Sequence, residues 1–148
     1  MDIQTDYAEL FGLFNELKVR YLIVGAYALA FHGAPRTTGD IDILVQPSKQ
    51  NAKRVVLALE RFGFGALNLK QNDFTSPDRV IQLGVPPVRI DILTSISGVS
   101  WSRAYRGKIK GLYGRIPVYF IGRIEYIKNK RSIGRRKDAA DVEALGEN

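Results

Sequence analysis

Apolar residues recur at helical spacing over 6–18, where Leu10, Phe11, Leu13, Phe14 and Leu17 predict one amphipathic helix. Tyr21-Leu22-Ile23-Val24 follows as a short apolar run ended by Gly25, the pattern of a buried strand. Residues 26–31, rich in alanine and leucine, predict a helix that opens directly after that glycine, and 33–39 read as a loop. Ile41, Ile43 and Val45 then alternate with Asp40, Asp42 and Leu44, the period of two expected of a strand. Ser48 is placed to cap a helix whose apolar face is Ala52, Val55, Val56, Leu59 and Phe62, with Gly63 and Gly65 closing it. Strands are expected over 80–83 and 88–93, joined around Gly84, Pro86 and Pro87. A hairpin is expected over 109–112 and 116–120, turning through Tyr113-Gly114, and helices over 123–131 and 136–145. No repeat, low-complexity tract or linker interrupts the pattern. It predicts an α+β fold: a mixed, mostly antiparallel sheet flanked by helices, ending in a helical segment at about 122–146. A chain of 148 residues fits one domain, 1–148.

Composition narrows the chemistry. The chain has no cysteine and a single histidine, His32, which removes thiolate catalysis and cysteine zinc sites and disfavours a serine–histidine triad. Carboxylate chemistry is what remains. No stretch reaches the roughly 18 apolar residues of a membrane helix, and the acidic, amphipathic start is unlike a secretory signal, so the cytoplasm is the expected compartment. Net charge is +7, concentrated over 103–137, where twelve basic residues face only Glu125. That bias fits polyanionic partners, triphosphates or RNA, as well as it fits a merely solvated basic face. Trp101, Tyr105, Tyr113 and Tyr119, interleaved with these bases, suit either base stacking or the core.

Strand alternation puts Asp40 and Asp42 on one side, about 7 Å apart along the chain. The pair is equally readable as a solvated strand face. Asp91, between Ile90 and Ile92, offers a third carboxylate on another strand. If the strands adjoin, three acids converge on one sheet edge. Mutual repulsion then makes a hard divalent cation, Mg2+ or Mn2+, the natural occupant, in the manner of two-metal phosphoryl transfer. Upstream, Gly25 and Ala26 end a strand and open a helix, either a plain tight turn or a place where backbone N–H groups meet a phosphate. Arg36 sits in the loop facing the acids, with Thr37 and Thr38 beside it. Arg36 is placed to fork onto a phosphate or to stay exposed, and the threonines to bind or to brace the turn. Asp138 and Asp141 share one helix face and are read as anchoring the last helix through ion pairs or capping its start; His32 is read as a packed or surface histidine.

A glycine turn opening a helix, Asp40-Ile41-Asp42 on a strand and a distant Asp91 resemble the polymerase-β-type nucleotidyltransferase superfamily. The loop Pro35-Arg36-Thr37-Thr38-Gly39 is similar to that of its small bacterial members, among them AbiEii-type toxins and minimal nucleotidyltransferases. So are Glu125-Tyr126-Ile127-Lys128 and the Lys137-Asp138-Ala139-Ala140-Asp141 helix. The resemblance spans about 21–145. It implies that Asp40 and Asp42 bind both metals, that Asp91 completes one site, that Gly25 and Ala26 cradle nucleotide phosphates, and that Lys128 neutralises triphosphate charge. Ala26 departs from the usual glycine or serine, keeping a backbone donor and losing a hydroxyl. The implied activity moves a nucleoside monophosphate from a nucleoside triphosphate to an acceptor hydroxyl, of RNA (a tRNA end) first, or of a protein or small molecule. The alternatives are a degenerate nucleotide- or nucleic-acid-binding module, and a component that works beside a partner protein in a toxin–antitoxin or two-subunit transferase system.

Overall fold

The computed structural model describes residues 3–35, 39–85 and 88–147. Its centre is β1 (Tyr21–Val24), four residues that are all buried. β2 (Asp40–Val45) runs antiparallel to it, pairing Tyr21 with Val45 and Val24 with Asp42. β4 (Arg89–Leu93) lies parallel to β2, and β3 (Val80–Leu83) closes that edge antiparallel to β4. On the other side of β1, β6 (Ile116–Phe120) is parallel to it and antiparallel to β5 (Ile109–Tyr113). The sheet order is β3-β4-β2-β1-β6-β5, so antiparallel pairings outnumber parallel ones as the sequence predicts.

Helix α1 (Thr5–Glu16) lies on the face of β1 that carries Tyr21: Phe11 stacks on that ring at 5.6 Å between centroids, and Phe14 leans on it at 5.4 Å. The pairing register puts Ile43 and Val45 on the same face as Ile23 and Tyr21, and both are fully buried. Leu22 and Leu44 point the other way and are also buried, at 0% and 1% exposure. The inner part of the sheet is thus covered on both faces, and the acidic positions of β2 lie toward one end of it. α2 (Gly25–Phe31) follows β1 at once, and α3 (Lys49–Leu59) starts from Ser48, whose hydroxyl accepts the Asn51 N–H at 3.2 Å. Asn51 is itself buried. It accepts from the Arg20 N–H and donates to the Arg20 and Gln46 carbonyls, tying the outer ends of β1 and β2 to the helix.

α3 continues through one wider turn over Glu60–Phe64, ending at Gly63 with φ +119°. Short 3-10 turns at Gly65–Leu67 and Gln71–Phe74 then lead to β3. The sequence pattern misses α4 (Trp101–Arg106), because six residues carry too little periodicity; Ser100, accepting from the Arg103 N–H at 3.2 Å, was its readable signal. The β5–β6 turn falls one residue later than expected, at Gly114 with φ +62°. α5 (Arg123–Ile133) and α6 (Arg136–Ala144) complete the chain where the pattern puts them. Buried side chains from every strand and helix join one hydrophobic core. Among the described residues no helix is long and apolar enough to cross a membrane.

Candidate metal centre

The parallel register of β2 and β4 sets Asp42 opposite Asp91 and Asp40 opposite Arg89. Residues two apart on a strand share a face, so these four side chains form a two-by-two block of charge. One oxygen from each of Asp40, Asp42 and Asp91 lies within 4.8 Å of the others. Asp91 is buried, at 6% exposure, and Asp40 and Asp42 are half-buried. The expected convergence of the three acids is therefore what the strand order produces.

Charge crowding here is offset unevenly. Burial, then the charges of Asp40 and Asp91, push the Asp42 carboxyl up from 3.8 to about 6, against a lowering influence from Lys130. Asp91 is better compensated: Arg89 donates from Nε to Oδ1 at 3.1 Å and from Nη2 to Oδ2 at 3.3 Å. The Tyr7 hydroxyl donates to the Arg89 carbonyl at 2.7 Å, and burial, neighbouring tyrosines and Asp40 and Asp91 keep that phenol protonated.

Gly25 is required at this spot for two separate reasons. Its φ of +66° is one that L side chains rarely adopt, and a Cβ there would collide with the Asp42 carboxylate. The glycine turn thus brings the backbone hard against an acid of the cluster. Ala26 follows it as the second residue of α2. Arg36 and Thr38, the loop residues expected at the site, lie outside the described residues.

Lys128 is not brought to the acids. It is exposed on α5, lining a groove of about 340 Å³ with Ile124, Ile127, Arg131 and Glu147. Lys130, two residues on, points about 200° away round the helix. It is the α5 cation whose charge acts on Asp42. Its ammonium lies 3.5 Å from Asp138 and 3.8 Å from Asp141, with only 13% of the side chain exposed. Asp138 is fully buried and takes a fork from Arg135 at 2.7 and 3.1 Å, which holds its carboxyl down at about 2. Asp138 and Asp141 anchor α6 as expected, and in doing so fix Lys130. Arg89, Lys130 and Tyr7 escaped sequence reasoning. Alternation alone places Arg89 beside Asp91, whereas nothing local marks Tyr7 or separates Lys130 from Lys128.

His32 Nε2 lies 2.7 Å from the Ile121 carbonyl, a structural contact. Tyr113 is core; Trp101 and Tyr105 are half-buried and stack at 5.0 Å, with the Lys108 ammonium 4.0 Å from the centre of the Tyr105 ring.

The donor set suits a hard divalent ion: oxygen ligands only, close enough to share one, with an acid whose ionisation is suppressed by its neighbours. No protein-family model matches the chain, and no curated protein matches it. Solved structures do. A candidate nucleotidyltransferase from Thermotoga maritima superposes with a TM-score of 0.64 at 14% identity, over 96% of this chain and 93% of that one. The chain has the nucleotidyltransferase fold. A lincosamide antibiotic adenylyltransferase, solved with lincomycin bound, matches at TM-score 0.57 and 13% identity over 99% of this chain and 98% of its own. A nucleotidyltransferase-like antigen from Paracoccidioides brasiliensis matches at 0.56 and 14%, covering 97% of this chain and 75% of that protein. At such identities the likeness establishes fold alone, and the chemistry has to be argued from the acids.

Proposed function

We propose that this chain is a metal-dependent nucleotidyltransferase that moves a nucleoside monophosphate from a nucleoside triphosphate to an acceptor hydroxyl, releasing pyrophosphate. The observation that carries the reading is the meeting of Asp40, Asp42 and Asp91 oxygens within 4.8 Å, beside a glycine turn with no room for a side chain. A merely solvated strand face has no reason to gather three acids and raise one of them to about 6.

Asp40, Asp42 and Asp91 would hold Mg2+ or Mn2+. Such an ion, when bound, supplies charge neutralisation for the phosphates and acidifies the acceptor hydroxyl. Asp91, with a carboxylate oriented by Arg89, is the residue best placed to receive the acceptor side of the site. Gly25 and Ala26 would offer backbone N–H groups at the start of α2 to the triphosphate, with Arg36 and Thr38 as sequence-based candidates for further contacts. Lys130 adds a fixed positive charge whose field reaches Asp42, and Lys128, exposed on α5, stays a candidate for neutralising triphosphate charge.

The basic second half favours RNA, such as a tRNA end, as acceptor. A second reading, a small-molecule hydroxyl, is favoured by the end-to-end likeness to the lincosamide adenylyltransferase. Kinship with AbiEii-type toxins, and with it a partner protein, rests on the 35–39 loop sequence and on the Glu125–Lys128 and Lys137–Asp141 motifs. The test is incubation with each radiolabelled nucleoside triphosphate, Mg2+ and either cellular RNA or a panel of hydroxylated small molecules. Label that depends on Asp42 establishes the transferase and names the acceptor class. Label undiminished in Asp42→Asn would sink the assignment of the acids, and no label with any nucleotide and acceptor would favour a degenerate binding module or a chain that needs its partner.

A further inference from the structure

Arg89 sits where a substrate-binding charge would be wanted and yet, in the free chain, is spent on a carboxylate of the metal cluster. Its guanidinium engages both oxygens of Asp91, at 3.1 and 3.3 Å, and its own strand position is pinned by the Tyr7 hydroxyl on its carbonyl. About a third of the side chain is exposed, against 9% for that of Asp91. The head group therefore lies on the open side of a buried acid. Register places it across from Asp40 as well. A fork on both oxygens occupies one lone pair on each and sets a guanidinium charge against any cation that shares them.

We propose that Arg89 is an internal counter-ion that is transferred from Asp91 to a phosphate of the incoming nucleotide. In the free chain it offsets one of the three crowded acids and weakens cation binding. A cation filling the cluster competes with the fork for the Asp91 oxygens and repels the guanidinium from them. The released guanidinium keeps its planar pair of donors, and a phosphate arriving with the cation presents the same pair of acceptor oxygens as the carboxylate it leaves. Metal and nucleotide then bind cooperatively through a residue that neither could use while the other is absent. No bond is made or broken in the exchange. The inference rests on the transferase reading for its phosphate half and on the Arg89–Asp91 geometry for its metal half.

Titration calorimetry with Mn2+, on the folded full chain as wild type, Arg89→Gln and Arg89→Lys, separates these halves. Removing one positive charge from beside the three acids should tighten Mn2+ binding by roughly tenfold or more in Arg89→Gln without nucleotide, as the Coulomb term for a unit charge and a nearby dication requires even at the dielectric of water. With a non-hydrolysable nucleoside triphosphate present, the same variant should bind the analogue roughly tenfold more weakly than wild type and lose the cooperativity. Arg89→Lys, which keeps charge but not the fork, should leave metal affinity near wild type and restore nucleotide binding only in part. Mn2+ affinity that is unchanged or weaker in Arg89→Gln overturns the proposal, because the arginine would then be only a brace for Asp91. If Arg89→Gln does not fold, the wild-type Arg89 Nε–H nuclear magnetic resonance signal decides: it should shift on adding Mg2+, and an unmoved signal at saturating Mg2+ refutes the exchange. A chain that shows these metal effects but transfers no nucleotide would refute the transferase reading while leaving the counter-ion role standing. A wild type that binds no Mn2+ would end both.

Discussion

Replacing Asp42 with asparagine should make the metal-free protein more stable at neutral pH while destroying its use for a divalent ion. Asp42 ionises near 6 in the folded chain and near 3.8 when free, so the folded state holds the extra proton between those values. Stability contributed by the protonated form is fully present below about 4 and is lost as pH rises through 6. A shift of about two units corresponds to roughly 3 kcal/mol as a ceiling, and about 1–2 kcal/mol is the reasonable expectation in a site open on one side. For a chain of this size that is roughly 3–8 °C in melting temperature. Asparagine keeps the shape and can donate a hydrogen bond to Asp91 where the carboxylate could only repel it. Thermal unfolding followed by circular dichroism in EDTA at pH 7.5 should therefore place Asp42→Asn above wild type, with the gap closing by pH 4. Added Mg2+ should raise wild type in proportion to its occupancy and barely move the variant. A variant less stable than wild type at pH 7.5 without metal, or one whose advantage persists at pH 4, would refute the claim that repulsion among these acids strains the fold.

Mn2+ affinity, measured by calorimetry, should fall as pH drops below about 6, by up to tenfold per unit, because protons then compete for Asp42. Gly25→Ala should destabilise the chain by roughly 1–3 kcal/mol in urea unfolding, since it combines a φ of +66° with a Cβ clash on Asp42, and it should weaken Mn2+ binding together with stability. Asp138→Asn should loosen α6 and free Lys130, seen as faster amide exchange over Arg136–Ala144 with β1 and β2 protected as before. Because Arg135 holds the Asp138 carboxyl near 2, its share of stability is present above about 4 and lost as pH falls toward 2, the opposite sense to Asp42.

What the sequence made legible follows from how local each feature is. Strand alternation is a two-residue property, so Asp40 and Asp42 could be assigned to one face, and Ile41 and Ile43 to the core, without tertiary knowledge. The third acid needed one further condition, that β4 adjoin β2, and the register supplies it by setting Asp91 opposite Asp42. Gly25 was legible as a turn but for an incomplete reason: the pressure on it comes from the Asp42 carboxylate on the neighbouring strand as much as from its own φ.

The cations are where local reading runs out. Lys128 and Lys130 are equivalent by composition, and a shift of two residues on a helix turns a side chain to the opposite side. The face of α5 that packs inward separates them, and Asp138 and Asp141 of α6 then hold Lys130 in place. Asp138 in turn is fixed by Arg135, three residues before it, through a capping arrangement that the sequence does carry. The chain of cause thus runs from a local cap to a buried aspartate, to the lysine it holds, to the field felt by Asp42 on a strand nearly ninety residues earlier. Each link is short-range in space. The lysine whose charge reaches Asp42 is thus held by the last helix, which makes α6 part of the site's electrostatics although none of its residues belongs to the cluster of acids.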